Sequence, residues 1–254
     1  DAIGVFARNP GSGALTYVTR YQDGEAGIDG LGGVQRLLLA PGGAQLYAAG
    51  TLDDAIAVFN VNAGSGLLTP ASIVRQSQPG MDGLNGVRDL AWSAGNSHLL
   101  AIAGENQSIA AFTRNPVSGA LTFAALRQEF EVGNGVLASP RALEVDGQRV
   151  MVASANGRVG QFGFDSSATT PSIQAQGNLI DAGSAVADLL FDPDQARLYV
   201  ATPTALQVHG LLGTAPELLD SDAATAIQGL ALSPDRRQLY SGGLAMNTWA
   251  RERG

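Results

Sequence analysis

The sequence predicts an all-β chain, a β-propeller of four-stranded antiparallel blades. Three observations carry this. One segment recurs nearly verbatim, as AIGVFARNPGSGALT from Ala2, AIAVFNVNAGSGLLT from Ala55 and SIAAFTRNPVSGALT from Ser108. A second kind of segment, apolar run, turn, apolar run, precedes each later copy of the first. No 3.6-residue apolar period is present, so short strands and turns repeat around one axis instead of helices alternating with strands.

The verbatim segment reads as a hairpin, the third and fourth strands of a blade, with Asn, Pro, Gly and Ser marking its turn. Its aromatic anchors Phe6, Phe59 and Phe112 fall at intervals of 53 residues (59 − 6 and 112 − 59), and Phe162, His209 and Trp249 continue the series. The first and second strands are expected in Val34 to Gly50, Val87 to Gly104, Pro140 to Asn156, Val186 to Thr202 and Ile227 to Gly242. Their hairpin turns are Ala40-Pro41-Gly42-Gly43, Ser93-Ala94-Gly95-Asn96, Asp192-Pro193-Asp194-Gln195 and Ser233-Pro234-Asp235-Arg236, where Pro presets φ and Gly, Asn or Asp tolerates the left-handed position.

These units define a single propeller domain over residues 1–254, with complete blades at about 33–75, 86–127, 139–178 and 185–222. Residues 1–20 and 226–254 are expected to share a fifth blade, because strand sharing between termini hides sheet edges. Trp249-Ala250-Arg251 repeats Phe6-Ala7-Arg8, so the third strand of that blade is present twice, and the alternative is a fragment of a six- or seven-bladed array.

Composition removes several functional classes. The net charge of −8 opposes binding to nucleic acid or to an anionic membrane face. All 15 basic residues are Arg, so a Schiff-base or phosphate-binding lysine is excluded. There is no Cys, which excludes disulfides, thiolate metal sites and cysteine nucleophiles. No apolar run of about 18 residues is present, so membrane insertion is not expected. Asp1 opens directly on a strand-like segment without an initiator Met or a signal peptide, and the chain is expected to be a soluble, processed or excised piece of a larger polypeptide or assembly.

Certain residues resemble a known group. Leu46-Tyr47, Leu198-Tyr199 and Leu239-Tyr240 follow SPDG-like turns, Asp54 to Phe59 reads Asp-Ala-Ile-Ala-Val-Phe, and Gly119 to Thr122 reads Gly-Ala-Leu-Thr. This pattern resembles the lactonase-like, YVTN-type β-propellers, which include bacterial 6-phosphogluconolactonases. The segment Asp23-Gly24-Glu25-Ala26-Gly27-Ile28-Asp29-Gly30-Leu31 is similar to an inter-blade loop of repeat proteins in secreted bacterial polypeptides, and Gly80 to Leu84 carries half of it. That second likeness implies an extracellular or periplasmic scaffold.

The lactonase resemblance implies an Arg, a carboxylate and a His at one channel mouth, polarising the lactone carbonyl and activating water. Aligning the first strands gives one ring of Gln35, Arg88, Arg141, Ala187 and Gln228 and a neighbouring ring of Arg36, Asp89, Ala142, Asp188 and Gly229. Arg88 and Arg141 suit bidentate binding of a carboxylate or phosphate. The competing reading is structural, with Arg36, Asp89 and Asp188 in channel salt bridges to Arg88 and Arg141. His98 is expected on the surface and His209 in the core, at a position shared with Phe59, Phe112 and Phe162. Neither belongs to a His-x-x-x-His pair, and no Gly-x-Ser-x-Gly elbow occurs. Phe6, Phe59, Phe112, Phe162, Trp249 and Trp92 are expected to pack between sheets.

Asp23, Glu25 and Asp29 offer oxygen ligands for calcium on a glycine-rich loop, although a turn capped by its own Asp side chains explains the same residues. No other cofactor is implied. Taken alone, these residues favour a non-enzymatic binding or scaffold module that presents loops and a channel mouth to a protein or glycan partner. The alternative is a hydrolase of an anionic sugar lactone, with Arg88 and Arg141 gripping the acid and Asp89 or Asp188 assisting water. A calcium-dependent adhesion element is a third reading.

Overall fold

A computed structural model describes all residues except 168–169, 212–215, 225, 244–245 and 251–254, and Arg251 of the expected terminal strand lies outside the described residues. The chain is all-β, a propeller arrangement of small antiparallel sheets with five blades' worth of strands. Four sheets are complete blades in which the strands follow chain order. They comprise β3 (Val34–Leu39), β4 (Gln45–Gly50), β5 (Ala55–Val61) and β6 (Leu68–Arg75), then β7 (Val87–Trp92), β8 (His98–Ala103), β9 (Ser108–Arg114) and β10 (Leu121–Gln128). The next are β11 (Pro140–Asp146), β12 (Arg149–Ser154), β13 (Arg158–Asp165) and β14 (Ser172–Asp181), then β15 (Asp188–Asp192), β16 (Arg197–Ala201), β17 (Ala205–Gly210) and β18 (Glu217–Ala223). A four-residue helix, α1 (Glu129–Val132), precedes β11.

Two partial sheets complete the count. Among the described residues β1 (Ala2–Arg8) pairs only with β2 (Leu15–Gln22), and β19 (Gly229–Leu232), β20 (Gln238–Gly242) and β21 (Asn247–Ala250) form a three-stranded sheet. β1 and β21, the two copies of the third strand, therefore belong to separate sheets, and no pairing between the terminal segments occurs among the described residues.

The chain divides into two units, residues 1–106 with 110–126, and residues 107–109 with 127–254. In the first unit, β3 packs on β7, so neighbouring blades meet through their first strands. Strand alternation sends Tyr47, Ala49, Ile56 and Val58 to one face of the β3–β6 sheet, where they meet Leu84, Val87, Leu90 and Leu99 of the next blade. The opposite face sends Ala48, Ala57 and Phe59 against Ile3 and Tyr21 of the β1–β2 sheet. In the second unit β11 packs on β15 and β15 on β19, again through first strands. Met151, Ala153 and Val159 bury against Val186, Leu189 and Val200, and Tyr199 and Leu206 against Ile227 and Leu239.

Phe6 departs from its expected core role. Phe59 and Phe112, its repeat equivalents, are 1% and 0% exposed, but Phe6 is 52% exposed. The cause is that each such Phe is buried by the preceding blade, and nothing covers that face of β1–β2 among the described residues. Phe6 instead stacks edge to face on exposed Tyr17, with ring centroids 5.7 Å apart. Leu37 and Leu39 of β3, on the face shared with Ala48 and Phe59, are exposed for the same reason.

Truncating a buried Phe removes transfer free energy and leaves a cavity. Phe59→Ala and Phe112→Ala are each expected to lower stability by about 3–5 kcal/mol in urea unfolding, and Phe6→Ala by less than about 1 kcal/mol. Equal losses at Phe6 and Phe59 would show that repeat position alone sets the cost.

Candidate functional site

The first-strand positions anticipated as a binding ring fall into two kinds. Gln35, Arg141 and Gln228 are exposed, and Arg88 is half-buried. The neighbouring positions face the adjacent blade. Arg36 on β3 reaches across to Asp89 on β7, with Nε 2.9 Å from Oδ1 and side-chain exposures of 41% and 9%. The same Asp89 Oδ1 accepts a hydrogen bond from Leu90 N at 2.8 Å. In the second unit Asp188 also bridges to the next blade, since its Oδ1 accepts from Leu189 N at 2.9 Å and its Oδ2 from Leu230 N on β19 at 2.8 Å. Ala142 is buried at the remaining position.

A register shift between Val34 and Arg36 on β3, and again between Val87 and Asp89 on β7, places Gln35 and Arg88 at bulges. A bulge re-aims its side chain, so simple alternation does not decide which ring faces inward. Arg88 lies across Gly104, where an added Cβ would come within 2.7 Å of its Nε. That glycine leaves room for the guanidinium.

The inter-blade loops carry a second constellation. Asp23 Oδ1 accepts from Leu31 N at 2.9 Å, Asp29 Oδ1 from Gly30 N at 2.9 Å and Asp53 Oδ2 from Gly32 N at 2.7 Å. These three carboxylates offer oxygens within 4.8 Å of one another. Asp29 also pairs with Arg75, while Glu25, expected as a calcium ligand, faces Arg20 at 3.4 Å. The next blade repeats the same bonds with other residues, as Gln76 Oε1 accepts from Leu84 N, Asp82 Oδ1 from Gly83 N and Asn106 Oδ1 from Asn85 N. Here Gln76 Nε2 also donates to Asp82 Oδ1 at 2.8 Å. Before β11, Glu129 takes over, its Oε2 accepting from Leu137 N at 2.6 Å. A side-chain acceptor that satisfies the loop amides is thus common to the three loops, whatever its charge.

Sequence reasoning missed Asp53, whose repeat spacing to Asn106 marks it, and a lock built on Arg114. Arg114 Nη2 donates to Gln45 Oε1 at 2.7 Å and its Nε to Tyr47 Oη at 3.1 Å, and the guanidinium lies 5.6 Å from the Trp92 ring centre. Tyr47 Oη in turn donates to Gly119 O at 2.7 Å, and burial raises its pKa against the opposing pull of Arg114. A cleft of about 180 Å³ beside this unit's loop is lined by Gly27, Asp29, Ala57, Phe59, Pro70 and Ile73, among others, and includes none of the ring residues.

The histidines are both structural in setting. His98 is 6% exposed, contrary to its expected surface position, because it follows Gln45 into a buried second-strand start. Its Nδ1 lies 2.9 Å from Ser97 Oγ and its backbone N donates to Ser93 Oγ. His209 is in the core as expected, also 6% exposed, with Nε2 3.1 Å from Gln207 Oε1.

A chain of four-stranded antiparallel blades that follow one another in sequence, with arginine and carboxylate side chains on their first strands, defines a β-propeller arrangement. Residues 1–140 match the family described as Lactonase, 7-bladed beta-propeller, and the chain belongs to that family. A putative 6-phosphogluconolactonase from Bacteroides fragilis is 17% identical, with a TM-score of 0.74 over 99% of this chain and 73% of its own. The periplasmic gluconolactonase of Pseudomonas aeruginosa is likewise 17% identical, with a TM-score of 0.72 over 99% of this chain and 73% of its own. At such identity the two structures share the fold with this chain. Comparison of the sequence with curated proteins finds no match.

Burial lowers the pKa of both histidines. A group held neutral in the folded state stabilises the fold above its unfolded pKa, about 6.5, and that contribution is lost as pH falls below it. The melting temperature is therefore expected to fall as pH is lowered from 7 towards 5. His209→Phe, which restores the Phe of the other blades, is expected to reduce the slope, and an unchanged slope in thermal scans would contradict this account of His209.

Proposed function

We propose that this chain is a lactonase-like hydrolase that opens an anionic sugar lactone. The observation that carries the reading is family membership over residues 1–140, the stretch that also holds Arg36, Arg88 and Asp89 on β3 and β7. The comparisons favour it over the non-enzymatic scaffold that the residues alone suggested.

Lactone opening needs a water molecule delivered to the carbonyl carbon and stabilisation of the negative charge that develops on the carbonyl oxygen. The planar guanidinium of Arg88 suits either that oxyanion or the acidic substituent of the substrate. Asp89 is committed to Arg36 and to Leu90 N, so it orients its neighbours. In the second unit, exposed Arg141 and half-buried Asp188 hold the equivalent residue types, and they enter the same test as independent variants. The Pseudomonas aeruginosa neighbour is periplasmic, which supports a periplasmic location here as well.

Hydrolysis of glucono-δ-lactone and of its 6-phosphate, followed as acid release, tests the reading. Acceleration above the buffer rate is expected, with kcat/KM reduced roughly 10- to 100-fold in Arg88→Ala, the loss of one charge-assisted contact. Gly104→Ala, which displaces the Arg88 side chain, is expected to act in the same direction. No acceleration of either lactone by the unmodified protein would overturn the proposal.

A further inference from the structure

The guanidinium of Arg36 on β3 is held along one edge. Its Nε edge is buried and faces Asp89 Oδ1 at 2.9 Å, an ion pair off the N–H axis, while the side chain as a whole is 41% exposed. Asp89 is itself fixed, 9% exposed at the side chain and accepting from Leu90 N. Neither Nη group of Arg36 has a partner among the described residues. One edge of the fork is anchored across the blade boundary, and the two terminal nitrogens are left open.

A guanidinium presents parallel N–H donors matched to two oxygens of a carboxylate or phosphate. Binding such a group normally costs side-chain ordering, and a fork already fixed at Nε has lost much of that freedom beforehand. The buried partner also keeps Arg36 from collapsing onto the sheet, since a side chain drawn away would give up its ion pair with Asp89.

We infer that Arg36 reads the oxyanion of the ligand through its open Nη edge, as a specificity-determining residue, and that Asp89 is its positioning residue. This deepens the hydrolase reading by naming the group that selects an anionic over a neutral lactone. The anion is either the phosphate of a phosphorylated sugar or the carboxylate of the aldonate product, both of which present two acceptor oxygens in a plane.

Calorimetric titration of the full chain with glucose 6-phosphate and, separately, with gluconate at fixed ionic strength tests the inference without requiring turnover. Binding of at least one anion is expected, and the arm that binds identifies which oxyanion is read. Arg36→Ala is expected to weaken that binding roughly 10- to 100-fold, as is usual for a charge-assisted pair. Arg36→Lys keeps the charge and is expected to weaken it as well, because the fork is lost. Asp89→Asn is expected to weaken it several-fold, and melting curves confirm that the variant is folded.

Unchanged affinity in Arg36→Ala would overturn the role of Arg36. A lowered melting temperature with unchanged affinity in Asp89→Asn would assign Asp89 to stability alone. In the lactone assay, the preference for phosphorylated over neutral substrate is expected to fall in Arg36→Ala. If the protein binds neither anion yet opens the neutral lactone, this inference fails while the hydrolase reading stands. If it binds an anion through Arg36 yet opens no lactone, the reverse holds.

Discussion

A blade in this protein buries its faces only against the blades beside it. Each complete blade is four strands wide and apolar on both sides, as β5 illustrates by sending Ile56 and Val58 one way and Ala57 and Phe59 the other. A sheet of that kind cannot be stable alone, because both faces must leave water for the hydrophobic gain to offset chain ordering. Identical sheets that meet closely at their first strands therefore stack in series, and each unit of the chain does this. Where no neighbouring sheet covers them among the described residues, at Phe6 of β1 and at Leu37 and Leu39 of β3, the same residue types are exposed.

The polar residues serve the stacking before they serve any ligand. Loop amides are satisfied by Asp23 and Asp53, then by Gln76 and Asn106, then by Glu129, with the chemistry changing and the bonds persisting. At the first strands the cross-blade tie is Arg36 to Asp89 in the first unit and Asp188 to Leu230 N in the second. A binding group anchored in such a tie inherits the rigidity of the interface. The functional proposal therefore rests on the same contacts as the fold, and residues with the chemistry of ligands also serve as fasteners.

Much of the fold was legible because three segments repeat almost verbatim, and a repeat that cannot bury its faces alone has few ways to fold. Environment was not legible in the same way. Phe6 has the sequence of Phe59 but not its neighbour, so its burial could not be read from the segment itself. His98 looked like the exposed start of a strand, yet it shares the buried setting of Gln45. The ring alignment identified Arg36 and Asp89 as candidates, but the bulges on β3 and β7 hid which positions face the next blade. Asp53 escaped notice because it lies 24 residues beyond Asp29 in sequence (53 − 29), and only the folded loop brings the two together.

The central claim is that neighbouring blades, and not the sequence of a strand, confer its stability. Hydrogen exchange read by mass spectrometry across β1, β5 and β9 tests it directly, because the three strands are near-identical in sequence and differ in what covers them. The account predicts slow exchange in β5 and β9, close to the limit set by global unfolding, and exchange faster by orders of magnitude in β1. Protection of β1 equal to that of β5 would contradict it.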